Sequence, residues 1–480
     1  MKDKLKECID WLKGKGVEYA DCRYVRCEKE SLRVSDGHVD SLSRDLDAGV
    51  GIRVISGGAW GFASTALLTP AELKKTAGLA LQIAKASAVT KHDPVVLAEQ
   101  EVFSDHYRSV YIKDPFTVPT DEKIKLLVAT TDILKKGKKI KTAEASMVFY
   151  KTSKLFISTE GAEIEQDIVE SGGGFYAVAF EGDEAQKRSY PNSFGGDFGT
   201  HGYEFIENMK FLEHAERVRE EAIALLKAKP CPEKETTIII CAPQMALQVH
   251  ESCGHPTELD RVLGTEISLA GGSFMTIDKL NQLKYGSDIV NITADATTPG
   301  GLGTFGYDDE GVKAQRSPLV KNGLFVGYLT SRETAPVINQ RSNGTMRASS
   351  WNRLPIIRMT NINLEPGDWE LSDLIADTKD GIFFDLNKSW SIDDKRLNFQ
   401  FGVEAAWEIK NGLLGRMFKN ATYTGMTPKF WNSCDAICNK NHWHVWGVPN
   451  CGKGEPMQIM HVAHGAAPAR FNNIKVGVTK

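Results

Sequence analysis

The 480-residue chain, 41% hydrophobic and 25% charged, has the balance of a soluble globular protein and is too long for one ordinary core, so two or three domains are expected. A formal net charge of −4 leaves no basic footprint for direct nucleic-acid binding, and no apolar run is long enough for a transmembrane helix, so no membrane role is expected. Nine cysteines, an odd number spread along a long chain, argue against a secreted disulfide framework and for free thiols or metal ligation.

In chain order, Leu5, Ile9 and Leu12 mark an amphipathic helix where a leader would need an apolar stretch and a small-residue cleavage site; a cytoplasmic location is the expectation. Residues 24–34 and 49–55 alternate apolar with polar or small side chains, and Ser56-Gly57-Gly58 turns the chain into 59–63, which predicts a hairpin-rich sheet. Thr69, Pro70 and Glu72 read as N-cap, first-turn proline and capping-box acid of a helix through about Ser87. These elements form a first α+β domain, residues 1–100.

A second α+β domain, residues 101–229, opens with the proline-bearing segment 114–119 and a helix from Thr120 to about Lys136. Residues 140–180 alternate like successive antiparallel strands turning at Thr152-Ser153 and Gly161, and the glycines of 171–174 and 193–199 predict mobile loops. A helix over Tyr203–Lys227 leads to Lys229-Pro230-Cys231-Pro232, the best domain boundary.

In the third domain, residues 230–480, Thr236–Cys241 is a buried-strand pattern and Pro243 opens a helix that carries His250. Strand patterns at 312–330, 355–363, 381–385 and 399–409, with turns at Asn322-Gly323 and Asn411-Gly412, predict a sandwich or barrel carrying one short helix. The fold class is α+β: N-terminal mixed helix and antiparallel-sheet domains followed by a mainly-β C-terminal domain that carries the metal-site helix.

The stretch His250-Glu251-Ser252-Cys253-Gly254-His255-Pro256 reads as half a metal site, with two imidazoles as ligands and Glu251 directed at a water. The histidines stand five residues apart. At about 100° per residue, such a pair is about 140° out of alignment on a regular α-helix, so the helix must widen into a π-type turn, with backbone freedom supplied by Gly254 and continuation blocked by Pro256. A catalytic zinc wants a third protein ligand. Nearby candidates are Cys253, Glu258 and Asp260; distant ones are Cys434, Cys438, His442, His444, Cys451, His461 and His464. Cys253 reads as a small buried thiol. Cys451 sits in a tight Gly-flanked turn where Lys453 would favour the thiolate. The Cys/His/Trp-rich segment 429–446 has no standard zinc spacing and reads as an aromatic loop capping the cleft.

The string His250-Glu251-x3-His255, followed by Thr304-Phe305-Gly306-Tyr307-Asp308-Asp309-Glu310-Gly311-Val312, Arg358-Met359-Thr360-Asn361 and Cys451-Gly452-Lys453-Gly454, resembles the TldD/PmbA family of metalloproteases. The resemblance spans nearly the whole chain and is to the metal-binding, TldD-like kind. It implies a Zn2+ ion held by His250, His255 and Cys451, Glu251 as general base, a peptide or unfolded-protein substrate, and a homodimer or a heterodimer with a metal-free homologue. The competing readings are a non-catalytic peptide-binding or scaffold subunit with a structural metal, and a metal-dependent amidase acting on small molecules. Residues 300–304 and 308–310 are the expected cleft lining, and Arg353, Arg358 and His201 are the polar groups available to stabilise an oxyanion.

Overall fold

The computed structural model describes residues 1–478; the expected third domain runs two residues past that limit. Helix α1 (Lys2–Lys13) buries Leu5, Ile9 and Leu12, the stripe that predicts it. Strands β1 (Tyr19–Ser35), β2 (His38–Ser56) and β3 (Ala59–Thr65) follow, then helix α2 (Pro70–Ala88), whose first turn is capped by Thr69 accepting from the Glu72 N–H at 3.3 Å. Next come β4 (Ser104–Arg108), α3 (Thr120–Lys135), β5 (Ile140–Ser158), β6 (Glu163–Glu181), β7 (Glu184–Tyr190) and β8 (Asp197–Gly199). One eight-stranded sheet in the order β3-β2-β1-β5-β6-β4, with β7 and β8 also on β6, joins all of them. Because β1 pairs with β2 on one side and β5 on the other, residues 1–100 and 101–229 share a continuous sheet, and its two helix-covered cores each draw on both ranges: Leu32 and Val34 pack with Leu127 and Phe149, and Leu155 and Ile157 with Leu5 and Val50.

Three local expectations give way to tertiary context. Thr152 and Ser153 stay inside β5, paired with Cys27 and Arg26, so no turn forms there. Ser171–Gly174 lies within β6, and a Cβ on Gly172 would collide with the Phe198 ring of β8; glycine here permits close approach of a strand, and the segment is no loop. The long helix divides into α4 (Glu204–Asn208) and α5 (Phe211–Lys227), interrupted where Lys210 takes φ +50°.

In the C-terminal part, Lys234–Ile240 pairs in parallel with Asp380–Ile392 and antiparallel with Ala469–Val478. From Ala469–Val478 the pairing passes through Ala421–Met426 and Asn398–Lys410 and returns to Asp380–Ile392, closing a small barrel. The Asn322-Gly323 and Asn411-Gly412 pairs adopt the left-handed values, φ 48° and 73°, 51° and 74°, that two-residue hairpins need. Four α-helices accompany the strands where one is expected: α6 (Ala242–Val249), α7 (Leu259–Val262), α8 (Leu371–Asp377) and α9 (Thr427–Asn432). The largest hydrophobic core lies here and encloses Trp431, so the aromatic-rich segment is partly core and not a cap over a cleft. No helix among the described residues is long and apolar enough to cross a membrane.

The acidic run Asp308-Asp309-Glu310 is buried and bolts this part to the N-terminal sheet. Lys154 of β5 reaches Asp309 at 3.2 Å, and Arg53 of β2 reaches Glu310 at 3.4 Å. Asp308 and Asp309 border a cavity of 180 Å³ but are buried and form no exposed acidic cleft: Asp309 pairs with Lys154, and the Asp308 carboxylate accepts from the N–H groups of Glu310, Val312 and Met346.

Candidate metal centre

Helix α6 is seated on the barrel by Tyr423, whose hydroxyl accepts from Gln244 Nε2 at 2.9 Å and donates to Gln248 Oε1 at 3.0 Å. After Val249 the helix widens. Residues His250–Gly254 form a π turn in which the His255 N–H donates to the His250 carbonyl, and His255–Thr257 continue as a 3-10 turn. Carbonyls displaced by the widening are collected by side chains. Tyr285 donates to the Ser252 carbonyl at 3.0 Å, Thr257 Oγ1 to those of Cys253 and Gly254 at 2.8 and 3.0 Å, and Trp431 Nε1 to Ser252 Oγ at 2.9 Å. Gly254 keeps right-handed angles, φ −57° and ψ −65°, so it is not needed for backbone freedom; a Cβ there would collide with the Met359 sulfur. The tight contact explains the glycine, contrary to the expectation from sequence.

The π turn brings both imidazoles to one side, with ring centroids 4.8 Å apart and planes at 87°. Cys451, on the hairpin strand His444–Lys453, lies opposite them: its Sγ is 3.5 Å from His250 Nε2 and 3.7 Å from His255 Nε2. Tetrahedral zinc with Zn–S of about 2.3 Å and Zn–N of about 2.05 Å would set S···N at about 3.6 Å, which both sulfur–nitrogen distances match. All three residues are buried, and they are the metal-capable cluster found among the described residues.

Outer hydrogen bonds fix the rings. His464 Nδ1–H donates to the Ile362 carbonyl at 3.1 Å, which leaves its Nε2 to accept from His250 Nδ1–H at 2.7 Å. His250 Nε2 therefore presents a lone pair toward Cys451. His255 reaches the same state by donating Nδ1–H to Glu258 Oε2 at 3.0 Å, so both rings are arranged as metal ligands are. Burial holds His250, His255 and His464 below the ordinary imidazole value, which keeps them neutral.

Burial alone would raise the Cys451 thiol, but the Arg358 guanidinium brings it below its ordinary value. Arg358 Nη2 donates to the Cys451 carbonyl at 2.7 Å and Nη1 to that of Gln458 at 2.8 Å. Lys453, the expected thiolate partner, instead bridges Asp260 at 2.7 Å and the Ile357 carbonyl at 2.7 Å. Glu258 is fully buried; burial opposes its ionisation, yet Lys453, His255 and Arg261 more than offset that and hold it well below the usual carboxylate range. Glu251 is buried beside His250 and accepts from Arg396 Nη1 at 3.1 Å.

The other sequence candidates fall elsewhere. Asp260 pairs with Lys453, His461 with Glu170 at 2.9 Å, His442 with Glu370 at 2.7 Å and His444 with Asp197 at 2.7 Å. Cys253, Cys434 and Cys438 are buried in the core, and burial pushes their thiols up. His201 stacks on Phe205. Sequence reasoning missed Arg396 and the supporting roles of Glu258 and His464. Glu258, three residues beyond His255, carries a local signal for its role; Arg396 carries none.

Fold and site together define a multidomain α+β protein with a buried two-histidine, one-cysteine cluster of zinc-binding dimensions beside a carboxylate. The sequence matches PmbA/TldA metallopeptidase domain 1 over residues 20–84, the central domain over 113–226 and the C-terminal domain over 233–478. It is 31% identical to a metalloprotease of Methanocaldococcus jannaschii, covering 91% of this chain and 92% of that one, and 24% identical to the zinc metalloprotease TldD homolog of Saccharolobus solfataricus, covering 96% and 97%. In fold it is similar to TldE from Thermococcus kodakarensis, with a TM-score of 0.70 and 17% identity over 99% of this chain and 100% of that one. A Thermotoga maritima protein described as a candidate modulator of a DNA gyrase superposes with a TM-score of 0.78 at 17% identity over 99% of both chains. The chain belongs to the PmbA/TldD family.

Proposed function

We propose that this protein is a cytoplasmic zinc-dependent peptidase that hydrolyses peptides or unfolded protein segments, with His250, His255 and Cys451 as ligands and Glu251 as general base. The observation that carries the reading is the convergence of two neutral imidazole lone pairs on the Cys451 sulfur, with the Glu251 carboxylate in the same turn. Zinc held there supplies polarisation of an amide carbonyl and acidification of water. Glu251 accepts a proton from the attacking water and returns it to the leaving amine. Glu258 and His464 orient the rings, and burial excludes bulk water.

A groove of 790 Å³ is lined among others by Leu263, Met346, Leu354, Ile356, Gly454 and Pro456. Gly454 and Gln458 of its wall stand on the Cys451 hairpin. An extended segment laid there would gain affinity from main-chain bonds and apolar contact with little side-chain selectivity. In this reading residues 230–480 carry the chemistry, and a second copy or a metal-free homologue completes the assembly.

The test is hydrolysis of an unstructured peptide series before and after chelation. Chelated protein is expected to lose activity and zinc to restore it, with turnover rising from dipeptides to longer chains. Equal turnover of small amides would mark an amidase, and activity unaffected by zinc removal would reject the reading. His464→Phe is expected to weaken zinc 10- to 100-fold in chelator competition, because His250 loses the acceptor that fixes its tautomer.

A further inference from the structure

The chain turns at 393–397 between the strands Asp380–Ile392 and Asn398–Lys410, and the turn is pinned on every side. The Asp393 carboxylate accepts from the Leu397 N–H at 2.7 Å, and its carbonyl accepts from the Arg396 N–H at 2.8 Å. Phe274 N–H donates to the Lys395 carbonyl at 2.9 Å, and Thr427 Oγ1 to the Arg396 carbonyl at 3.0 Å. Within this rigid turn Arg396 takes φ +61°, a conformation that glycine or asparagine would adopt with less strain. The turn itself gives no reason for an arginine.

Its side chain does. Nη1 donates to Glu251 Oε2 at 3.1 Å, whereas Nε is buried and has no partner among the described residues. The other cations around the centre have more partners: Arg358 donates to two backbone carbonyls while its buried Nε, also without a hydrogen bond, lies 4.0 Å from Glu258, Lys453 holds Asp260 and the Ile357 carbonyl, and Arg261 holds Glu258 at 3.3 Å and the Ala270 carbonyl at 3.0 Å.

We infer that Arg396 is the oxyanion-stabilising residue of this site: the geometry sets a strained, rigidly mounted guanidinium, with a buried Nε donor free, against the Glu251 carboxylate. As water adds to the amide carbon, its proton passes to Glu251 and the carbonyl π pair moves to oxygen. The negative charge leaves the carboxylate for the substrate oxygen, and the guanidinium follows it by donating there. This inference rests on the peptidase reading.

Arg396→Gly and Arg396→Lys test it. Glycine suits φ +61° and so offsets part of the lost ion pair with Glu251; the Arg396→Gly protein is expected to melt within a few degrees of wild type and to hold zinc at wild-type stoichiometry. Its kcat should fall about 10²- to 10³-fold with KM within about threefold, as for loss of one oxyanion donor. Arg396→Lys should recover about tenfold of the loss. Independently of turnover, calorimetry with a phosphinic peptide, whose tetrahedral anion mimics the transition state, should show at least about 30-fold weaker binding to Arg396→Gly. Turnover within about threefold of wild type, unchanged phosphinate affinity, or loss of zinc together with a lower melting temperature would each overturn the assignment. Activity unaffected by zinc removal would defeat the peptidase reading itself, and full activity of Glu251→Gln the general-base assignment, whereas an inactive Glu251→Gln beside an active Arg396→Gly would defeat Arg396 alone.

Discussion

Glu251→Gln is expected to lose about 10²- to 10⁴-fold in peptide hydrolysis while retaining bound zinc, the range ascribed to a positioned general base. The amide keeps the shape of the carboxylate and an oxygen that still accepts from Arg396, so packing in the π turn is preserved. What it loses is the ability to take a proton from water. Because Glu251 stands outside the cluster of His250, His255 and Cys451, zinc content measured beside turnover separates chemistry from metal loss. A zinc-loaded Glu251→Gln protein with undiminished turnover would remove the general-base assignment.

Glu258→Gln is expected to cost about 3–5 kcal/mol of folding stability and to loosen zinc 10- to 100-fold, in chemical denaturation and chelator competition respectively. Its carboxylate is fully buried among His255 at 3.0 Å, Arg261 at 3.3 Å, Lys453 at 3.6 Å and Arg358 at 4.0 Å. Neutralising it leaves buried cations short of their counter-ion and gives His255 a weaker acceptor. The folded-state value lies below the unfolded one, near 4.3, so the contribution is fully present above about pH 4.3 and is lost as pH falls toward the folded value. The stability gap between wild type and Glu258→Gln should therefore be constant near neutrality and shrink below about pH 4; a gap that widens on acidification would contradict the ion-pair account.

Much of the fold is legible in the sequence because its signals are local. The stripe Leu5, Ile9, Leu12 gives α1, Thr69-Pro70-Ala71-Glu72 gives the start of α2, and Asn322-Gly323 and Asn411-Gly412 give hairpin turns. Where reading fails, a distant partner decides. The glycines of β6 look mobile until Phe198 packs onto Gly172, and Thr152-Ser153 looks like a turn until β1 pairs across it. The acidic run 308–310 looks like cleft lining until Arg53 and Lys154 reach it from strands more than 150 residues earlier.

The site divides along the same line. Spacing and helix geometry by themselves determine that His250 and His255 can share a face only across a widened turn, since a fixed rotation per residue leaves no other solution, and the π turn at His250–Gly254 is that solution. The residues alone left the third position open among ten candidates, and only a family resemblance singled out Cys451. Tertiary structure decided that Cys451, 201 residues away, faces both rings, that Glu258 and His464 set their tautomers, and that Arg396 lies on Glu251. The physical reason is range: backbone geometry and side-chain periodicity act over a few residues, whereas the pairing of buried polar groups depends on strand register and packing between segments far apart in the chain.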